Sequence, residues 1–117
     1  MSNEKEITES IKEYIDDNLT QKLTVNDIAR HVYLSPTYLQ CLFKEAYGIP
    51  LAEYVRKQRL KKSLELLYDT GEKVSEIAYD IGFEHESSFI RSFKREFGLT
   101  PHEARKQPYG IKITPPG

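Results

Sequence analysis

Cysteine is nearly absent: Cys41 alone excludes an intrachain disulfide, and the scattered His31, His85 and His102 do not combine with it into a zinc-ligand spacing. Long apolar runs are missing as well. None approaches the roughly 20 residues a membrane span needs, and the opening Met1-Ser2-Asn3-Glu4-Lys5-Glu6 is polar and acid-rich, with no apolar stretch behind it to act as a secretory signal. A cytoplasmic protein with no metal and no other cofactor is therefore expected. Neither a phosphate-cradling glycine loop nor a nucleophile-base-acid set can be picked out. The adjacent Asp16 and Asp17 read as ordinary solubilising charge on a helix face, so no enzyme is expected. An excess of positive charge is also lacking: 17 basic against 18 acidic residues leave a net charge of -1, which weighs against a protein that clings to nucleic acid through bulk charge.

What is present is enough for one domain or two small linked lobes, since 117 residues with 38% hydrophobic and 30% charged side chains can bury a modest core. The charge is unevenly spread. Residues 1 to 27 hold seven acids (Glu4, Glu6, Glu9, Glu13, Asp16, Asp17, Asp27) against three lysines, which leaves the remainder at 14 basic to 11 acidic. Two runs, Arg56-Lys57-Gln58-Arg59-Leu60-Lys61-Lys62 and Arg91-Ser92-Phe93-Lys94-Arg95, gather the positive charge that a phosphate backbone requires, although each taken alone is also what a solvated helix face looks like.

Periodicity predicts helices throughout. Ile7, Ile11, Tyr14, Ile15 and Leu19 form one apolar stripe opposite an acidic face. Thr24-Val25-Asn26-Asp27 matches a capping box and opens a second helix with Val25, Ile28, Ala29 and Val32 inward. Ser35-Pro36 supplies an N-cap with proline at the first helical position. The third helix that follows turns Leu39, Leu42, Phe43, Ala46 and Tyr47 inward and closes at Gly48. From Leu51 to about Asp69 no proline or glycine interrupts the chain, so the longest helix lies there, roughly 28 Å at about 1.5 Å per residue. A fifth helix carries Val74, Ile77, Ala78 and Ile81, and a sixth carries Phe89, Phe93 and Phe97. A short seventh opens at the capping box Thr100-Pro101-His102-Glu103, and the tail from 108 to 117 is expected frayed or extended. His31 and His85 read as surface or capping residues.

The chain repeats itself. Val25-Asn26-Asp27-Ile28-Ala29 lies over Val74-Ser75-Glu76-Ile77-Ala78 at an offset of 49 residues. Phe43-Lys44-Glu45-Ala46-Tyr47-Gly48 lies over Phe93-Lys94-Arg95-Glu96-Phe97-Gly98 at an offset of 50, so one residue is added in the intervening turn, and Glu53 then matches Glu103. Each copy is a short helix, a tight turn and a second helix with a polar outer stripe, the pattern of a helix-turn-helix pair. Ala29 and Ala78 are small where the two helices of a pair cross closely. A solenoid of such pairs needs about three copies or more, and two copies joined by a long rod fit it poorly. The expected architecture is all-α: about seven helices, with a helix-turn-helix subdomain over 1–49, a linker helix over 50–70 and a second subdomain over 71–107.

In their order and spacing, Asp27-Ile28-Ala29, Leu34-Ser35-Pro36-Thr37-Tyr38-Leu39, Phe43-Lys44-Glu45-Ala46-Tyr47-Gly48, Tyr54-Val55-Arg56-Lys57-Gln58-Arg59-Leu60, Glu76-Ile77-Ala78, Ile81-Gly82-Phe83, Phe89-Ile90-Arg91-Ser92-Phe93-Lys94 and Gly98-Leu99-Thr100-Pro101 form a highly specific set. On these the chain resembles the DNA-binding domain of AraC/XylS-type transcription regulators over roughly residues 7 to 106. The stretch Val32 to Leu39 is similar to regulators whose DNA-binding end is fused to a receiver domain, as in a response regulator. The resemblance implies a homeodomain-like fold, recognition helices near 36–47 and 86–97, and base reading by Thr37, Gln40 and Cys41, although relatives commonly carry arginine where Cys41 stands.

Helical geometry reaches a similar surface independently. If 39, 42, 43 and 46 face inward, Thr37, Gln40, Cys41 and Lys44 project outward. Glutamine can pair with adenine and threonine can touch a thymine methyl, while Cys41 also reads as a small half-exposed thiol with no role. In the second copy Glu86, Ser87, Ile90, Arg91 and Lys94 project. The planar guanidinium of Arg91 matches guanine O6 and N7 unless Glu86 or Glu96 holds it, and an exposed Ile90 gains from a thymine methyl. Ser35, Lys44, Arg56, Lys57, Lys94 and Arg95 are candidate phosphate partners. The rod of roughly 28 Å is expected to hold the two readers near one duplex turn apart, about 34 Å, so that one chain contacts two successive grooves. Double-stranded DNA is the expected partner, with RNA polymerase if the protein activates, and the chain is expected to be a piece of a larger regulator. A helical protein-interaction module that no longer binds DNA is the competing expectation, favoured by the net charge.

Overall fold

The computed structural model describes residues 4–107; the tail assigned above to 108–117 lies outside them. Seven helices follow one another, and no strand occurs among the described residues: α1 (Glu4–Asp17), α2 (Val25–Val32), α3 (Pro36–Tyr47), α4 (Leu51–Asp69), α5 (Val74–Asp80), α6 (Glu86–Phe97) and α7 (Pro101–Arg105). None of these helices is long and apolar enough to cross a membrane. The chain divides into two units, Met1–Gln58 and Arg59–Gly117. The boundary falls inside α4, so the residues expected to form a separate linker are shared. Leu51 and Tyr54 belong to the core of the first unit, Leu60 and Leu67 to that of the second.

In the first unit α1 lays Ile11 and Ile15 against Ile28 and Ala29 of α2 and Leu39 and Phe43 of α3, all of them buried. Local signals set the ends of these helices. Thr24 accepts from the Asp27 amide at 3.1 Å while the Thr24 amide donates to Asp27 Oδ2 at 3.3 Å, which completes the predicted capping box. Thr24, and after it Arg30, hold the Asp27 carboxyl below the usual carboxylate range. Gly48 closes α3 with φ 76°, the left-handed conformation in which a glycine carries no Cβ penalty.

Two expectations for this unit change. Asp16 is more than solubilising charge: Tyr54 Oη donates to its Oδ1 at 3.0 Å, and Gln58 Nε2 donates to the same oxygen at 3.1 Å, which ties α1 to the first half of α4. Burial first, and the Asp16 carboxylate second, push the Tyr54 hydroxyl well above its ordinary range, so it remains a donor. Ala46, expected inward, is exposed. It lies in the last turn of α3 beside an open hollow of about 360 Å³ lined by Thr8 of α1 together with Leu42 and Tyr47, so nothing covers it.

The second unit packs Leu60 and Leu67 of α4 with Val74, Ile77 and Ala78 of α5, Phe89 and Phe93 of α6 and Ala104 of α7. Phe83, Phe89, Phe93 and Phe97 form a ladder of rings, with centroids 5.5, 5.7 and 4.7 Å apart. The predicted capping box at Thr100 and Glu103 is present. Side chains of α4 and α7 then clamp the end of each other's backbone: Tyr68 Oη donates to the Ala104 carbonyl at 3.3 Å, and Arg105 Nε to the Leu67 carbonyl at 3.3 Å.

Each pair turns through a left-handed residue. In the second pair it is Gly82, with φ 91°; in the first it is Tyr33, with φ 58°, among the described residues the one non-glycine at positive φ, whose side chain is 93% exposed. A left-handed non-glycine residue costs about 1–2 kcal/mol, partly offset because glycine loses about 0.5–1 kcal/mol more entropy on folding. Tyr33→Gly is therefore expected to raise the melting temperature by about 2–6 °C; a fall on thermal melting would mean that the tyrosine side chain holds the turn. In the second unit the Glu72 carboxyl is pushed up, first by its hydrogen bond with Asp80, then by burial and by the charges of Asp80 and Glu76. A raised folded-state pKa makes the charged form a cost that grows as pH rises from the unfolded value near 4 through the folded one. Glu72→Gln should therefore stabilise the protein at pH 7 and give no gain below about pH 4 in urea melts.

Candidate nucleic-acid interface

The two turns are built alike from backbone bonds. At the end of α2 the Leu34 amide donates to the Ala29 carbonyl at 3.0 Å, and at the end of α5 the Phe83 amide donates to the Ala78 carbonyl at 3.0 Å. Each is the six-residue closure that ends a helix on a left-handed residue. Ala29 and Ala78, the acceptors, are 3% and 2% exposed, so the small side chain and the closing carbonyl belong to one buried position in both copies.

After the first turn Ser35 accepts from the Tyr38 amide at 3.2 Å and Pro36 occupies the first turn of α3, as predicted. Leu39, Leu42 and Phe43 are buried, and this fixes the rotation of α3 about its axis. Thr37, Gln40, Cys41 and Lys44 are all exposed on its outer side. This face is short of charge: Lys44 is its single cation, and the Cys41 thiol stands free toward solvent. Tyr38, not among the expected reading residues, is 47% exposed on the first turn of α3 beside Thr37. Its position next to the cap was the available signal, since the first turn of such a helix leads toward the bases.

After the second turn α6 begins at His85, whose side chain makes no capping bond. Phe89 and Phe93 are fully buried, and Glu86, Ser87, Arg91, Lys94 and Arg95 are exposed. Among the described residues none holds Arg91 in an ion pair, so neither Glu86 nor Glu96 takes up its guanidinium. Ile90 differs from expectation. It is half-buried and packs against the second core, because its position in the helix lies next to that of Phe93, so contact with a thymine methyl is not needed to cover it. Gly98 closes α6 with φ 81°, matching Gly48.

The candidate phosphate partners fall into two groups. Lys44, Lys57, Lys94 and Arg95 are exposed, and Ser35 keeps a hydroxyl proton to donate while its oxygen caps α3. Arg56 is not a solvated cation: its side chain is 18% exposed and forms a two-pronged ion pair with Glu53 one turn earlier, with Nε donating at 3.2 Å. A residue so held must break that pair to meet a phosphate. His31, expected on the surface, is exposed there and stacks on Tyr14 with ring centroids 4.1 Å apart.

Residues 28–107 match the family model of the helix-turn-helix domain. The chain is 38% identical over 94 residues to the regulatory protein PocR of Salmonella typhimurium, covering 80% of this chain and 31% of that protein. It is 35% identical over 95 residues to the HTH-type transcriptional activator AarP of Providencia stuartii, covering 81% and 70%. Among solved structures, the C-terminal domain of the two-component response regulator yesN from Fusobacterium nucleatum superposes with a TM-score of 0.80 at 34% identity, over 84% of this chain and 96% of that one. The chain spans less than half the length of the first curated relatives it matches, 31% and 44% of two of them. With two helix pairs closed by the same backbone bond and these likenesses, the chain belongs to the helix-turn-helix family, as a DNA-binding domain of the AraC/XylS type.

Proposed function

We propose that this domain reads double-stranded DNA by sequence, with α3 and α6 entering successive major grooves on one face of the duplex, as the DNA-binding part of a larger cytoplasmic transcription regulator. The observation that carries this reading is the repeated construction: after the same backbone closure, each pair buries the inner face of its second helix and leaves a polar outer face with side chains able to touch base edges. The uninterrupted α4, roughly 28 Å of helix, supports a spacing near the 34 Å of one duplex turn. One chain then does what a dimer of single readers does elsewhere, and the site it selects is asymmetric.

The two faces differ in their chemistry. Gln40 suits adenine and Thr37 a thymine methyl or a phosphate, with Cys41 and the neighbouring Tyr38 adding apolar contact. In the second reader Arg91 suits guanine, Ser87 either partner and Glu86 the cytosine amino group, while Ile90 contributes only its exposed edge. Lys44, Lys57, Lys94 and Arg95, with the Ser35 hydroxyl, fix register on phosphates; Arg56 joins them only by leaving Glu53. The likeness to a response-regulator output domain supports a receiver as the attached part, and RNA polymerase is the further partner where the site leads to activation. The domain acts by binding and carries out no reaction of its own.

Selection of duplexes from a random pool, followed by titration at several salt concentrations, tests the reading. Arg91→Ala should relax preference at one or two bases by about 1–3 kcal/mol. Lys94→Ala should weaken all sequences alike and lower the salt slope by about one. Equal losses on every duplex for both variants would remove Arg91 from the bases. An affinity that hardly responds to salt would favour a protein-interaction module instead.

A further inference from the structure

Arg59 belongs by sequence to the basic run of 56 to 62, yet its guanidinium is turned onto Gly82 within the second unit. A Cβ placed on Gly82 would meet Arg59 Cζ at 3.0 Å, Nη2 at 3.0 Å and Nε at 3.2 Å. Three guanidinium atoms at nearly one distance mean that the planar group lies face-on over the glycine. Gly82 therefore serves twice: its left-handed φ of 91° favours glycine, and a Cβ there would press the guanidinium back by a few tenths of an ångström. The Arg59 side chain is half-buried, and burial lowers its affinity for the proton, as for a cation drawn out of water.

The first unit provides the control. Its left-handed residue is Tyr33, whose own side chain is 93% exposed. The first pair also has a side-chain cap at Ser35, whereas His85, at the start of α6, makes none. The second turn spans five residues against three and is uncapped, and Arg59 lies over it at Gly82.

We propose that Arg59 is a positioning residue for the second reader: its guanidinium, laid over Gly82, fixes the turn that aims α6 and does not hold a phosphate. This rests on the DNA-reading function above. A guanidinium in this place acts through its plane, which lysine cannot supply, and not through its charge, which lysine can.

The test uses the full chain and a duplex selected by the unaltered protein, with base-substituted copies of it. Arg59→Lys should lose about tenfold in discrimination at the bases that Arg91→Ala also affects, keep discrimination at the bases read by α3, and leave the salt slope unchanged. Urea melts establish that the variant is folded. Gly82→Ala, whose Cβ would crowd the guanidinium at 3.0 Å, should show a loss at the same bases. Full affinity and discrimination in Arg59→Lys, or a uniform loss with a slope lowered by about one in Arg59→Gln, would overturn the proposal and leave the DNA-reading function standing. If the unaltered protein selects no sequence, that function fails and the proposal falls with it.

Discussion

The closure of α2 and α5 by a left-handed residue is the constraint on which the rest of the domain depends. Each closure centres on a backbone bond of 3.0 Å onto the carbonyl of a buried alanine, and the chain reverses within three residues in the first pair and five in the second. A reversal that short leaves the following helix one way to bury its apolar stripe, across the helix it has just left. Leu39 and Phe43 in one copy, and Phe89 and Phe93 in the other, then vanish from solvent, and the opposite side of each helix must face water. The outward faces of α3 and α6 are thus consequences of packing. What side chains occupy them is free to vary, and that freedom is what a reading surface needs.

The two copies use this constraint differently. The first keeps conventional local devices, a capping box at Thr24 and a hydroxyl cap with proline at Ser35, and tolerates an exposed tyrosine in its turn. The second has neither cap, since Lys73 and His85 offer no side-chain bond at the starts of α5 and α6. Longer-range contacts hold it instead: the phenylalanine ladder, the guanidinium over Gly82, and Tyr68 and Arg105 bridging the ends of α4 and α7. Their outward faces diverge in step, nearly neutral on α3 and strongly cationic toward the end of α6.

How legible each feature was in the sequence follows from the range over which its cause acts. The seven helices, both capping boxes, the Ser35-Pro36 start and the glycine closures depend on residues three or four apart, and all of them were readable. Outward positions on α3 followed from periodicity alone. Periodicity could not show that Asp16 receives Tyr54 and Gln58 from 38 and 42 residues away, that Arg105 reaches back to Leu67, or that Arg59 leaves its basic run to cover Gly82. These contacts join charged or polar residues on different helices, and no spacing within one helix encodes them. The miss at Ala46 has the same origin, since an apolar position is buried only where a neighbouring helix extends far enough to cover it. Arg56 lay within local reach. Glu53 stands three residues before it, at a spacing where helical side chains meet, and the count of basic residues concealed the pair.

A net charge of -1 would oppose binding to a polyanion only if the duplex felt the chain as a single charge. It does not, because exposed charges separated by more than about 10 Å are largely screened at 0.1 M salt. In the first unit the acids Glu4, Glu6, Glu9, Glu13 and Asp17 are all exposed on α1, and α1 buries its other side against the inner face of α3. Glu4 and Glu9 come nearest to α3, lining a hollow with its Leu42, Glu45, Ala46 and Tyr47, and none of Thr37, Gln40, Cys41 and Lys44 borders that hollow. A phosphate brought to Lys44 meets the local field of α3, while one brought to α1 is repelled. The acidic helix then works with the reading helix, since it makes the wrong side of the domain unfavourable to DNA and leaves the right side as the face on which encounter can settle.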